Sequence, residues 1–304
     1  MKQPRKEKAI VILTMVPSLI ALGVFVYVFI AWTMVVSLSN WVGISPDYSF
    51  AGLKNFLSIF KSYRFLIDIY NNTFFTVLFL AVCTIGGLLL AVLVNRCGRS
   101  ENFFRNIFLL PLVISPVVTG VVWKWIFAPK TGINVLLNNF LSKMGFEHTI
   151  KFGWYISTAK VGPFNIALVP LIIAASWSFI GYIMAMYIAG LKGVSADLIE
   201  AARVDGASEF TIYMKIILPL LKPVTIGVII MLIHLSLKMF DLFFVMSGSG
   251  PGFVTDLPSI FMYITTFSAN RYSEGASIAI IMLLMVAVVI IPYLRMSLRK
   301  GVGD

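Results

Sequence analysis

Six blocks of apolar residues, each long enough to cross a lipid bilayer, govern what this chain can fold into: Ile10–Leu38, Asn72–Val94, Phe104–Phe127, Asn165–Leu191, Val224–Val245 and Gly275–Leu294. A helix needs ~20 such residues to traverse the hydrocarbon core. Charged residues are only 12% of the chain, about half the ~25% of a soluble domain. Open sheet edges cannot lie in lipid, and the alternating pattern of a transmembrane barrel is absent. The chain is therefore expected to be an all-α, polytopic membrane protein with about six transmembrane helices. The first block reads as a span and not as a cleaved signal, because its apolar run is too long and no small-residue cleavage site follows it.

The formal charge of +11 would suit a polyanion partner if it were clustered, but its distribution follows the spans. Six spans put both termini on one side. That side collects Lys2, Arg5, Lys6, Lys8, Arg96, Arg99, Arg105, Lys192, Arg203, Lys215, Lys222, Arg295, Arg299 and Lys300. The other side has Lys54, Lys61, Arg64, Lys130, Lys143, Lys151, Lys160 and Arg271, while Lys124 and Lys238 fall in or beside spans. The positive-inside rule assigns the richer side, with both termini, to the cytoplasm. The basic balance is thus a topology signal, and no nucleic-acid partner is expected. Trp41, Trp123, Trp125 and Trp154 fall near outer span ends, where indole rings favour the headgroup level.

Cys83 and Cys97 imply no disulfide framework. No loop is large enough to hold a soluble domain, although Asn134–Lys143 has helical spacing within the second outer loop. Nothing matches GxxxxGK[ST], so the chain is not expected to cradle ATP phosphates. The segment Lys192–Pro223 is more patterned than a connector needs to be. Ser195 can cap a helix carrying Asp197 in its first turn and an apolar face of Leu198, Ile199, Ala201, Ala202 and Val204. Gly206 can end that helix, Ser208–Leu218 can form a second, and Pro219 and Pro223 break the chain before it re-enters the membrane. A short helix with a small apolar face suits a groove on a partner.

Glu200-Ala201-Ala202, three residues, Gly206, nine residues, then Ile216-x-Leu218-Pro219 resembles the EAA loop of bacterial ABC importer permeases. Asp205-Gly206-Ala207 and Leu218-Pro219-Leu220-Leu221-Lys222-Pro223 resemble the carbohydrate-uptake branch, of the maltose and glycerol-phosphate type. Trp123-Lys124-Trp125-Ile126-Phe127 with Gly132-Ile133-Asn134, Lys238-Met239-Phe240-Asp241 with Gly250-Pro251, and Ser273–Ala279 support the same branch. The sequence departs from the common pattern at Ser195, Tyr213 and Ser249. The resemblance, over about Asn72 to Leu294, implies a type I ABC importer permease fold with an ATPase-coupling set of Glu200, Ala201, Ala202, Asp205, Gly206, Ile216, Leu218 and Pro219. It implies residues 1–71 as tail, first span and first external loop, 72–297 as permease core with the loop at 192–223, and 298–304 as a cytoplasmic tail. It further implies a second, non-identical permease, two ATPase subunits that bind ATP and Mg, and an external sugar-binding protein. The setting is a bacterial or archaeal cytoplasmic membrane. No catalytic residue, metal or cofactor is expected in this chain.

Ionisable residues inside spans are functional candidates. Lys238 and Asp241, three apart, are expected on one helix face as a structural or gating pair. The resemblance places sugar contacts in the third and fourth spans, where hydroxyls and aromatic faces suit a sugar. The candidate substrate path is therefore Ser115, Thr119, Ser176, Ser178 and Tyr182, with Pro116 and Trp177 alongside, joined by His234 one turn before Lys238. Individually, serine and threonine in spans more often bond a helix carbonyl. Two other functions compete. An ion-coupled secondary transporter or channel would need broken helices around a midplane ion site, and would leave the Lys192–Pro223 loop unexplained. An intramembrane enzyme would need an HExxH, GxSxG or paired carboxylates, none of which is present.

Overall fold

A computed structural model describes residues 5–145 and 150–301. Lys2 and the last residues of the 298–304 tail lie outside that description. The chain runs through helices α1 (Arg5–Leu22), α2 (Phe29–Ser37), α3 (Lys54–Lys61), α4 (Tyr63–Asn95), α5 (Glu101–Val113), α6 (Pro116–Ile126) and α7 (Ile133–Lys143). A two-residue antiparallel hairpin follows, β1 (Lys160–Val161) and β2 (Phe164–Asn165), turned by Gly162. Then come α8 (Leu168–Lys192), α9 (Ala196–Val204), α10 (Glu209–Ile212), α11 (Leu218–Leu220), α12 (Lys222–Leu237), α13 (Asp241–Met246), α14 (Pro258–Tyr263) and α15 (Tyr272–Gly301). Wider π turns at Gly23–Val28, Tyr213–Ile217 and Ile264–Ser268 join α1 to α2, α10 to α11, and extend α14. Among the described residues, four stretches are long and apolar enough to cross a membrane: Thr14–Ser37, Tyr63–Asn95, Leu168–Lys192 and Tyr272–Tyr293. Two bent pairs raise the number to six.

The first of those pairs lies within the third apolar block, and the second, Glu209–Leu220 with Lys222–Leu237, bends where the fifth block begins. The third block is broken between α5 and α6, which meet at 94°. Pro116 lacks an N–H and pushes the residue before it out of the helical region, and Ile114 and Ser115 are extended at ψ 132° and 136°. The fifth block is broken at Lys238–Phe240, between α12 and α13. There the Met239 carbonyl, released from the helix, accepts a bond from Ser259 Oγ. Lys238 ends α12 and Asp241 begins α13, so the two do not share one helix face. They form no ion pair among the described contacts.

The structure divides into two compact units. The first comprises residues up to Phe65 with Phe261–Leu284. Its polar joints tie the end of α2 to the start of α15: Ser277 Oγ donates to the Ser37 carbonyl at 3.0 Å, and Ser273 N–H to the Trp41 carbonyl at 3.1 Å. Asn55 Nδ2 bridges the Ser37 and Ser39 carbonyls. The second unit, Leu66–Ile260 with Met285 onward, holds the larger core. Here Gly86 and Gly87 of α4 lie so close to Ile180 and Ile183 of α8 that an added Cβ would fall within 2.6 Å of them. Small residues permit such approach between membrane helices. Phe75, Phe79, Phe179 and Phe243 stack and edge at centroid distances of 4.8–5.8 Å. Cys83 is buried and Cys97 exposed, both as free thiols.

A buried amide cluster closes one end of this core. Asn71 Nδ2 donates to the carbonyls of Phe253 and Asp256, and Asn165 Nδ2 donates to Asn71 Oδ1 at 2.7 Å. Asn71→Leu removes all three bonds and sets Asn165 against an apolar side chain. The expected cost is about 1–3 kcal/mol, read as a lower thermal midpoint of the solubilised protein. An unchanged midpoint would show that the cluster contributes nothing.

Candidate functional site

The segment between α8 and α12 forms the expected helix, turn and second helix. Ser195 occupies the N-cap position of α9 with extended geometry, φ −60° and ψ 131°, but its hydroxyl makes no capping bond, contrary to expectation. Asp197 stands in the first turn, where a carboxylate favours the helix dipole. The C-terminus is closed by two reaching-back bonds, Gly206 N–H to the Arg203 carbonyl and Ala207 N–H to the Ala202 carbonyl, each 3.0 Å. This double closure needs a left-handed residue at its centre, and Gly206 supplies it at φ +78°. Asp205 is the C-cap. No residue of α9 is buried. Glu200 and Ala201 are exposed and Ala202 half-buried. Leu198 and Val204 are 50% and 88% exposed, a large apolar commitment on a helix this short. Ser208 then caps α10 by accepting the Thr211 N–H.

Ile216, Leu218 and Pro219 do not supply the anchor of the second helix. Ile212, Ile217 and Leu221 are the buried residues, while Ile216 and Leu218 are half-buried and Pro219 is exposed. The π turn at Tyr213–Ile217 is the reason. It inserts one residue, so the inward face advances from 212 to 217 instead of 216. At Leu221 the chain bends 63° into α12.

Two ionic ties, missed in the sequence, hold this segment to the end of α4 and the start of α5. Glu209 accepts from Arg203 Nε at 2.8 Å and lies 3.7 Å from Arg96. The Arg96 guanidinium also stands 5.3 Å over the Tyr213 ring. Lys192 pairs with Glu101 at 2.7 Å. The bond from Arg203 holds the Glu209 carboxyl below its ordinary value of 4.5. A lowered carboxyl pKa contributes stability above the ordinary value and loses it as pH falls through the lowered one. A spin label at Ala207 should therefore stay immobile from pH 7 to 5 and loosen only below about 4.5. Glu209→Gln should be loose throughout, and a label whose mobility followed the same course in both proteins would refute the tie.

In the spans, the two helix breaks border one cavity of about 190 Å³. Ile114 and Pro116 line it from the first break, Lys238, Phe240 and Asp241 from the second, and Ser178 of α8 from between them. Of the expected path residues, only Ser178 faces this cavity, joined there by Lys238 and Asp241. Ser178 Oγ donates to the Ala174 carbonyl at 3.2 Å. Ser115 is exposed at the break, and its carbonyl accepts the Thr119 N–H. Thr119 is buried, with its hydroxyl unpartnered in the structure. Ser176 is buried beside Cys83. Tyr182 is 37% exposed. His234 is half-buried on α12, and Trp177 edges Trp123 at 5.8 Å. The expected path residues are thus spread over three helices and do not converge on one pocket in this chain alone.

Residues 84–299 match the family described as binding-protein-dependent transport system inner membrane component. The chain is 37% identical to the "Probable ABC transporter permease protein" of Pyrococcus horikoshii, over 95% of this chain and 96% of that one. It is 32% identical to the xylose/arabinose import permease protein of Haloferax volcanii, over 93% and 86%. Its fold superposes on a subunit of a bacterial ABC transporter involved in the import of the acidic polysaccharide alginate, with a TM-score of 0.78 at 21% identity, over 97% of this chain and 96% of that one.

Proposed function

Because this chain belongs to the family of binding-protein-dependent transport system inner membrane components, we propose that it forms half of the translocation pathway of an ATP-driven sugar importer. The observation that carries the proposal is α9: an exposed apolar helix, closed by the positive-φ Gly206, within the Glu200-Ala201-Ala202…Gly206 spacing. Such a helix has unsatisfied apolar surface and a fixed direction, which is what docking into a partner's groove requires.

On this reading a second, non-identical permease completes the path and two ATPase subunits take the α9 helices. These subunits bind the ATP and Mg, and their closure and opening swings the loops. The bent spans turn that motion into alternating exposure of the path, as rigid-body switching of a bistable bundle. An external binding protein delivers the substrate. The sugar class rests on the xylose/arabinose relative and on the carbohydrate-branch sequence pattern. The excess of cations on one side supports cytoplasmic termini in a bacterial or archaeal inner membrane. Glu200, Ala201, Ala202, Asp205 and Gly206 present the docking surface. Ile216, Leu218 and Pro219 contribute through the second helix. The cavity at Ser178, Lys238 and Asp241 lies at both helix breaks, where released backbone groups can meet substrate hydroxyls. Ser115, Tyr182 and His234 face the remaining path on its way to the second permease, whereas Thr119 and Ser176 are buried within this chain.

Cysteines at Ala201 or Ala202 should crosslink to the ATPase subunit in the assembled complex. Labelling of those cysteines by an impermeant reagent from outside intact cells would overturn the orientation. The purified chain alone should hydrolyse no ATP, and sugar-stimulated hydrolysis by the whole complex across a sugar panel would identify the substrate.

A further inference from the structure

The helix α7 is amphipathic in an unusual sense: Asn134 and Asn138 face the protein and its bulkiest apolar side chains face away. Asn134 is 1% exposed. Its Nδ2 donates to the Pro129 and Phe152 carbonyls, and its Oδ1 accepts from Trp154 Nε1 at 2.8 Å. One turn on, Asn138 exchanges two bonds with Ile150, at 3.0 and 2.6 Å. These bonds fix the rotation of the helix, so it cannot roll to bury its other side. On that other side Leu136 is 71% exposed, Phe140 61% and Met144, just past the helix end, 59%. The spacing of i, i+4 and i+8 aligns the three in one stripe.

The depth of α7 is fixed as well. Gly132, directly before it, packs so tightly on the last turn of α6 that a Cβ would lie 2.1 Å from the Ile126 carbonyl and 2.7 Å from that of Trp125. Hence α7 starts at the level where the span ends, beside the exposed Trp125. Around it stand Lys130, Lys143 and Lys151, all exposed, and the segment from Ala128 to Phe164 contains a single acid, Glu147.

We propose that α7 is an interfacial helix that seats Leu136, Phe140 and Met144 at the acyl boundary of the outer leaflet, with its lysines on the headgroups of anionic phospholipid. An apolar stripe in the plane of the interface, flanked by cations, is the form that binds such a surface. The stripe fixes the outer end of the bent α5–α6 pair to the bilayer and gives that pair a stationary point while the remainder of the bundle moves.

The test uses the full chain, alone and assembled with its partners, in nanodiscs of phosphatidylcholine with or without phosphatidylglycerol. Nitroxides are placed singly at positions 136, 140, 139 and 142 in a Cys97→Ser background. The labels at 136 and 140 should show severalfold higher collision with oxygen relative to an aqueous nickel chelate than those at 139 and 142, in both preparations. With phosphatidylglycerol present, Lys130→Gln with Lys143→Gln should reduce that contrast. Equal chelate access at all four positions would overturn the proposal. So would protection of 136 and 140 only after the second permease or the binding protein is added, which would assign the stripe to a protein. A contrast indifferent to both lysine substitutions and to phosphatidylglycerol would overturn the anionic headgroup as occupant.

Discussion

Replacing Gly206 by valine is expected to abolish transport while leaving the protein in the membrane. Gly206 sits at φ +78° with no atom within 4 Å of where a Cβ would be. The obstacle is therefore the backbone conformation and not a clash. A non-glycine residue held in this region costs about 1–3 kcal/mol, most for a β-branched one. Losing it opens the two closing bonds from Gly206 and Ala207, and α9 then has no defined end or direction. Each ~1.4 kcal/mol removes a factor of ten from the population in the docking geometry. Transport by the reconstituted complex should thus fall tenfold or more. Asparagine tolerates the left-handed region, so the order of rates should be glycine, asparagine, alanine, valine. Binding-protein association outside should survive in all of them, since the loop is proposed to act on ATPase docking. A Gly206→Val complex working at the normal rate would remove the loop from its coupling role.

The sequence carried the membrane class and the helix and turn of residues 196–206 clearly, because each rests on local chemistry. Blocks of ~20 apolar residues have few alternatives, and the Glu200–Gly206 spacing is a short-range pattern that one helix and one turn can satisfy. What it concealed was where the apolar blocks stop being straight. Ser115-Pro116 announces a break by backbone rules, yet hydropathy passes through it without a dip. Lys238-Met239-Phe240 announces nothing of the kind. Its break is sustained by Ser259, a partner distant in sequence. Pairing Lys238 with Asp241 on one face assumed a helical period across that break, and fails for this reason. The burial of Ile217 and Leu221 was hidden similarly, since a π turn shifts the register by one residue. The ties of Arg96 and Glu209 join segments separated by about a hundred residues, a contact no local pattern encodes. The division of the candidate path over several helices follows from the function proposed: one permease supplies only half of the wall.

Gly181 to alanine is expected to be the most disruptive small change in the spans. The residue carried no signal of its own in the sequence, appearing only as a glycine beside Tyr182. In the structure it marks the point where α8 meets the backbone of α5: a Cβ there would lie 1.7 Å from the Phe108 carbonyl oxygen and 2.4 Å from its carbon. Both obstacles are main chain, so no rotamer change relieves them. The helices must separate by more than an ångström, and overpacking of this kind costs about 3 kcal/mol or more. The displacement also reaches the break, because Phe108 lies one turn before Leu112, which lines the cavity with Ile114 just beyond the helix end. Gly227→Ala on α12 is the matched control, since nothing lies within 4 Å of a Cβ at that position. The Gly181 variant should show a lower thermal midpoint and little or no transport, while the Gly227 variant retains both. Equal behaviour of the two variants would mean that α5 can move away from α8 without loss. The bent pair would then not be held by that contact, and the cavity at Ser178, Lys238 and Asp241 would not depend on the close approach of these two helices.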